Sequence, residues 1–346
     1  MKPKVYIIIV NYNGWQDTVE CIESVLKSDF GNFQVIVVDN NSQDESMNYL
    51  IDWAEGRLNI WTSPHNKLRM LSLPPVEKPV GYEYLNGDSD FLEEADFSSE
   101  LILIQSAING GFAAANNIAI KFAYQRGDSD YIWLLNNDTV IERDTLSELV
   151  YGIQRHKDAG AAGSKIFFYD DPDRLQSLGS KVDPNNIFKL CKPVVDLKVH
   201  GKVIDSYNQD FFVDDIMGAS MLIKQAALKK VGMMPEEYFL YGEETDYNFN
   251  LKKNGYKLVT IPKSRLYHKK SVSMGGEDSP LALYYRTRNQ FILYKKYMSS
   301  IKYFMYVFLY TFKKLYLALS GDKQSRKIVV KALLDGWLGR TGMGKF

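Results

Sequence analysis

The chain has 346 residues, 42 Lys+Arg against 42 Asp+Glu, and is 45% hydrophobic and 13% aromatic. Balanced charge excludes a protein that coats nucleic acid, which needs a basic excess, and the apolar content excludes a chain dominated by disorder. The length implies one large α/β domain with appendages or two units, and two cysteines, Cys21 and Cys191, are too few for a disulfide framework.

The apolar run Val5 to Val10 is too short for a secretory leader and predicts a buried parallel strand, hence a cytoplasmic start. Val19, Ile22, Val25 and Leu26 follow at helical spacing. FQVIVV (33–38) predicts a second strand, and DESMNYLIDWAEG a second helix ending at Gly56. Residues 61–100, with Pro64, Pro74, Pro75 and Pro79, show no steady period and are expected to be an insertion. Alternation resumes with a strand at Leu101–Ile104, an Ala-rich helix after NGGF, the strand YIWLL, a helix over about 143–156 and a strand near 161–168. Residues 170–215 suggest a meander, KLVTIP a further strand, and the last third an aromatic helical region. Such β-α alternation predicts a Rossmann-like, mostly parallel sheet with helices on both faces. Domain bounds of 1–275, and 276–346 for a carboxyl-terminal helical extension, are expected.

In open α/β sheets ligands bind at the carboxyl ends of strands. Polar clusters sit at three such ends: Asn11-Tyr12-Asn13, Asp39-Asn40-Asn41 and Asn136-Asn137-Asp138. Each alone suits a turn or a helix cap; their recurrence points to a polar ligand. No G-x-G-x-x-G follows the first strand and no P-loop occurs, so dinucleotide and P-loop chemistries lose support. H-E-x-x-H and Cys-x-x-Cys are also missing. A diphosphate bridged by Mg²⁺ or Mn²⁺ needs only one or two protein carboxylates, and Asp138 is placed for that.

VYIIIVNYNGW, VIVVDNNS, NGGFAAANNIAI, LLNNDT, GASMLI and YGEETDYNFNLKKNGY, in this order, resemble the inverting family 2 glycosyltransferases of GT-A fold, in particular their bacterial rhamnosyltransferase-like branch. The resemblance covers about Val5 to His268 and, more weakly, Tyr284 to Tyr297. It implies that Asp39 contacts the base or ribose with Asn11, Asn13 and Asn41 nearby, and that Gly111, Asn116, Asn117 and Asn137 lie beside the donor. It places Asp138 and the late His268 on the metal, with Asn136 replacing the first Asp of the family's Asp-x-Asp. Glu244 falls where the family has its base, a Glu-for-Asp departure, with Asp246 as alternate base. Gly218 and Glu243 would border the acceptor subsite. Arg288, in YYRTRNQF, matches an Arg-Asn pair and would reach the diphosphate or form a helix-surface salt bridge.

The implied reaction moves a sugar, L-rhamnose from dTDP-L-rhamnose as first choice, from a nucleotide-diphosphate sugar to a saccharide or lipid-linked acceptor in cell-surface polysaccharide assembly. A UDP- or GDP-hexose donor and a non-catalytic sugar-nucleotide-binding module are the alternatives. A nucleotidyltransferase would want a Gly-rich basic loop after the first strand, which NYNGWQD does not supply. The aromatics clustered at 284–319, with the apolar run Tyr303 to Phe312 between Lys302 and Lys313, suit peripheral contact with the inner face of the cell membrane, or packing within the chain or a homodimer.

Overall fold

The computed structural model describes residues 2–60, 62–87, 98–182, 191–194, 207–269, 279–319 and 322–344. In chain order come β1 (Val5–Asn11), α1 (Trp15–Val25), β2 (Phe33–Asp39), α2 (Ser46–Ala54), α3 (Arg69–Ser72), β3 (Tyr82–Asn86), β4 (Leu101–Gln105), α4 (Phe112–Arg126), β5 (Tyr131–Asn136) and β6 (Thr139–Ile141). Next are α5 (Thr145–Arg155), β7 (Ala159–Phe168), β8 (Leu175–Ser177), β9 (Ser180–Val182), β10 (Cys191–Pro193), β11 (Phe211–Val213), β12 (Ser220–Lys224) and α6 (Gln225–Val231). Last come α7 (Glu243–Lys253), β13 (Lys257–His268), α8 (Pro280–Tyr297), α9 (Ser300–Leu319) and α10 (Lys323–Trp337).

The main sheet runs β11-β13-β7-β12-β5-β1-β2-β4-β3, with β6 on β13 and β8 on β7. Apolar residues continue through each central strand because both faces are covered. Ile7, Ile9, Val35, Val37, Trp133 and Leu135 pack toward α1, α2 and α5. Tyr6, Ile8, Ile36, Val38, Ile132 and Leu134 pack toward α4, α6 and α7. Since β1, β2, β4 and β5 are parallel, as are β7 and β13, their carboxyl ends share one edge; antiparallel β12 brings its amino end there. The edge therefore gathers Asn11, Asp39, Asn136 and His268 from four strands.

Two expectations change. Strand β13 does not stop at Pro262: a register shift between Ile261 and Arg265 absorbs the proline, and pairing with β7 continues to His268. Residues 62–87 also carry ordered structure, since β3 adds a parallel edge strand to β4. Buried Glu23 of α1 binds this stretch, accepting from the Val76 amide (2.7 Å) and pairing with Lys78 (3.4 Å), which also stacks on Trp53. Burial lowers the Lys78 pKa to about 8. Deleting the stretch would leave a buried carboxylate without these partners. Both cysteines are free thiols.

Candidate active site

A crevice with a cavity volume of about 120 Å³ opens at the carboxyl edge, lined by Tyr12, Asn40, Gly111, Asn137, Asp138 and Phe239 among others. Behind the lining residues Val10, Tyr12 and Asn40 lies a tight polar network. Asn11, Asp39 and Gln105 are in register on adjacent strands. Asp39 accepts from Asn11 Nδ2 (2.7 Å), Ser42 Oγ (2.6 Å), the Ser42 amide (3.0 Å) and Gln105 Nε2 (2.9 Å). Those four bonds fill the lone-pair sites of a carboxylate. Asn11 Oδ1 in turn accepts from Thr18 Oγ1 (2.7 Å), which also receives a bond from Asn137 Nδ2 (3.0 Å).

Across the crevice Asn40 donates to Asn109 Oδ1 (2.9 Å) and accepts from the Gly110 amide (3.2 Å), bracing the loop before α4. Gly111 has φ +89°, and a Cβ there would stand 2.2 Å from the Phe239 carbonyl oxygen. Only glycine permits this approach, and the same oxygen accepts from the Phe112 amide (2.9 Å).

Asp138, from the turn between β5 and β6, meets His268 at the end of β13, with Oδ1 to Nε2 at 3.0 Å. Both are buried. His268 Nδ1 lies 3.0 Å from Gln176 Oε1, so the ring proton is assigned to Nδ1 and the Nε2 lone pair faces the carboxylate. Neighbouring donors of an octahedral ion with bonds of about 2.1 Å stand about 3 Å apart. Asn136 adds a buried Oδ1 with no hydrogen-bond partner among the described residues, and its Nδ2 is 3.4 Å from His268 Nε2. Asp138 and His268 thus suit a divalent cation, with the Asn136 amide beside them. Among the described residues there is no group of three or more His, Cys, Asp or Glu able to hold a metal.

Gln176 also lines a second cavity, of about 350 Å³, with Ser177, Asp215, Met217, Glu244 and Thr245. Glu244 lies in the first turn of α7, and its Oε2 is buried with no partner among the described residues. Burial raises the pKa of Glu244, and that of Glu243 further, helped by the Glu244 charge. Asp215 is pushed up to about 7, first by burial and then by Glu244, despite the bond from Asn248 Nδ2 (3.0 Å). Asp215 and Gln176 were missed in the sequence because they lie in the irregular stretch before β12; the acidic pair just ahead of MGASMLI was the available signal.

Several expected donor and acceptor residues stand elsewhere. Asn116 donates to the Phe112 carbonyl (2.9 Å) inside its own helix. Asn117 donates to the Met234 carbonyl (2.9 Å) and Glu236 (2.7 Å) and accepts from the Met234 amide (2.9 Å), holding a loop. Asn13 and Asn41 take left-handed turns at φ 49° and 60°, and Asn40 rather than Asn41 lines the crevice. Gly218 makes room for Glu244, whose Cγ and Oε1 a Cβ would meet at 3.3 Å; Glu243 is buried and lines neither cavity.

Arg288 lines neither cavity and is not on a helix surface. It is buried, donating to the carbonyls of Tyr238 (2.8 Å) and Gly342 (2.6 Å) above the Tyr284 and Tyr285 rings. Asn289 beside it donates to the carbonyls of Tyr238, Leu240 and Tyr241 (3.1, 2.7 and 2.7 Å). The pair clamps the loop that supplies Phe239 to the crevice and leads into α7. Asp246 is held by Lys296 and Tyr297 of α8 and reaches neither cavity.

A mostly parallel sheet with polar strand ends, a crevice lined by Gly111 and Phe239, and an Asp-His pair are features of the GT-A class of glycosyltransferases. The model of the family "Glycosyl transferase family 2" matches residues 6–70 and 88–230, and the chain belongs to that family. It is similar to the dTDP-rhamnosyl transferase RfbF of Shigella flexneri, at 26% identity over 254 residues, 69% of this chain and 79% of that one. It is also similar to the rhamnosyltransferase WbbL of Escherichia coli K12, at 24% over 161 residues, 46% of this chain and 60% of that one. These relatives mark a resemblance to the rhamnosyltransferase-like branch.

Among solved structures, the mannosyltransferase PcManGT from Pyrobaculum calidifontis in complex with GDP-Man and Mn²⁺ has a TM-score of 0.52 at 14% identity, covering 100% of this chain and 77% of that one. GalNAc-T7 with UDP, GalNAc and Mn²⁺ has a TM-score of 0.56 at 13% identity, covering 97% and 56%. Both are likenesses of fold.

Proposed function

We propose that the chain is an inverting, metal-dependent hexosyl- or deoxyhexosyltransferase, moving L-rhamnose from dTDP-L-rhamnose, for cell-surface polysaccharide assembly. The observation that carries this reading is Glu244, a half-buried carboxylate with a buried oxygen that has no partner among the described residues, lining the cavity that adjoins the Asp138–His268 pair through Gln176. The rhamnosyl donor is supported by the relatives RfbF and WbbL; the GDP-Man and UDP complexes keep other nucleotide sugars in the test.

In this reading the nucleoside lies in the first crevice between Tyr12, Asn40 and Gly111, on a floor that Asp39 and Asn11 keep rigid. Asn136, Asp138 and His268 would hold Mg²⁺ or Mn²⁺, which when bound supplies positive charge beside the leaving diphosphate. The sugar occupies the second cavity. A hydroxyl of a saccharide or lipid-linked acceptor forms the new bond to the anomeric carbon from the face opposite the breaking bond to diphosphate, and Glu244 takes the hydroxyl proton. Burial raises its pKa and so its basicity once ionised. Residues 1–275 form the transferase domain and 276–346 a helical extension, supported by the separate apolar cluster of α8, α9 and α10. The enzyme works in the cytoplasm, in peripheral contact with the inner face of the membrane.

The test is a panel of nucleotide sugars screened for nucleoside diphosphate release, with Mg²⁺, with Mn²⁺ and with chelator. Release from dTDP-L-rhamnose that the chelator stops is expected. Release from a UDP- or GDP-hexose alone would replace the donor, and donor binding without release, with acceptor extracts present, would mark a non-catalytic module.

A further inference from the structure

Helix α9 has two apolar faces, and only one has a partner among the described residues. Tyr306, Val307, Tyr310 and Ala318 are buried against α8 and α10. On the other side Ile301, Phe304, Phe308, Phe312, Tyr316 and Leu319 are each more than half exposed. These six recur every three or four residues, so they form one stripe, about 27 Å long at 1.5 Å per residue. Trp337 of α10, also more than half exposed, donates to Thr311 Oγ1 (3.1 Å) and lies alongside. By contrast Tyr284, Tyr285, Phe291 and Tyr294 of α8 are buried, so the surface begins at α9, later than residue 284. No described helix is long and apolar enough to cross a membrane.

Charge identifies what covers the stripe. Residues 299–346 hold nine Lys and Arg against two Asp, a net +7; because the whole chain sums to zero, residues 1–298 carry −7. One of those two aspartates, Asp335, is buried and held by Lys331 and Arg340. Beside the apolar face, Lys323, Arg326, Lys327 and Lys331 line an open groove of about 640 Å³ on α10 with Val330 and Leu334. A symmetric contact between two copies through this face would bring together two segments that each sum to +7. An anionic bilayer offers what both features lack: apolar depth for the rings and phosphate for the amines.

We infer that the outward face of α9 with the basic groove of α10 docks on an anionic phospholipid surface, the rings entering the headgroup region and the −7 body facing away. This deepens the proposed membrane contact by naming the surface and the lipid class. It is read out without catalysis, so its failure leaves the transferase reading standing.

The experiment floats the full chain with vesicles of phosphatidylcholine alone, or with about a third phosphatidylglycerol. Flotation with the anionic vesicles only is expected, weakening as salt rises. Phe308→Glu with Phe312→Glu, and separately Lys323→Glu with Lys327→Glu, should each lower it on the order of tenfold, while soluble nucleoside diphosphate release stays within about twofold. Should a variant fail to fold, the salt series on the native chain decides. No flotation with anionic vesicles, equal flotation with neutral ones, or a dimer in light scattering that the Phe variants dissolve would overturn the proposal.

Discussion

The two sides of the carboxyl edge use their polar atoms in opposite ways. On the β1–β2–β4 side, Asp39, Asn11 and Gln105 bond to one another and to Ser42 and Thr18. On the β5–β12–α7 side, Asn136 Oδ1, Glu243 Oε2 and Glu244 Oε2 are buried without hydrogen-bond partners among the described residues. A buried polar atom left without a partner costs on the order of 1 to 3 kcal/mol. A satisfied network builds a wall, whereas Glu244, with its unsatisfied oxygen, lines a cavity that a ligand can fill. In the proposed function the first side backs the nucleotide crevice, and the second is where charge and protons move.

Substitutions on the second side should therefore abolish activity in a folded protein. Asp138→Ala should lower turnover by about 10³ and remove its dependence on Mn²⁺, as steady-state rates with and without chelator will show. Activity that still responds to Mn²⁺ would relocate the metal. Asn289→Ala frees three carbonyls of the loop between Tyr238 and Tyr241. It should lower kcat/KM about tenfold with a loss on the order of 1 to 3 kcal/mol in denaturant unfolding.

Asp215 gives a pH signature. Its folded pKa of about 7 lies above the ordinary carboxylate value, so the native state binds the proton more tightly and stability falls as pH rises from about 4 to about 7. Asp215→Asn should flatten that fall in Tm measured from pH 5 to 8; an unchanged slope would place the titration elsewhere. The smallest effect on chemistry belongs to Asn117→Ala, which should cost about 1 to 3 kcal/mol of stability and leave donor KM within about twofold. A large rise in KM would return Asn117 to the donor site.

Much of this organisation was legible in the sequence. Continuous apolar runs located β1, β2, β4 and β5, and the polar residues after them located the edge. Period and strand-end position do not reveal which way an amide turns. Asn116 and Asn117 read as donor ligands but serve a helix and a loop, while Asn40 rather than Asn41 lines the crevice. Arg288 read as a surface or diphosphate cation because burial against Tyr284, Tyr285 and the carbonyl of Gly342 depends on chain segments far apart in sequence. The strand β3 hid in a proline-rich stretch, since a five-residue edge strand has too little period to stand out.

The most direct test of the central claim compares Glu244→Gln with Asp246→Asn, measuring nucleoside diphosphate release and donor affinity for each. Glu244→Gln should reduce turnover by 10² to about 10⁴ with donor affinity nearly unchanged, while Asp246→Asn, which loosens α7 from α8, should keep measurable turnover. An active Glu244→Gln enzyme beside an inactive but folded Asp246→Asn one would contradict the assignment of Glu244 as the base.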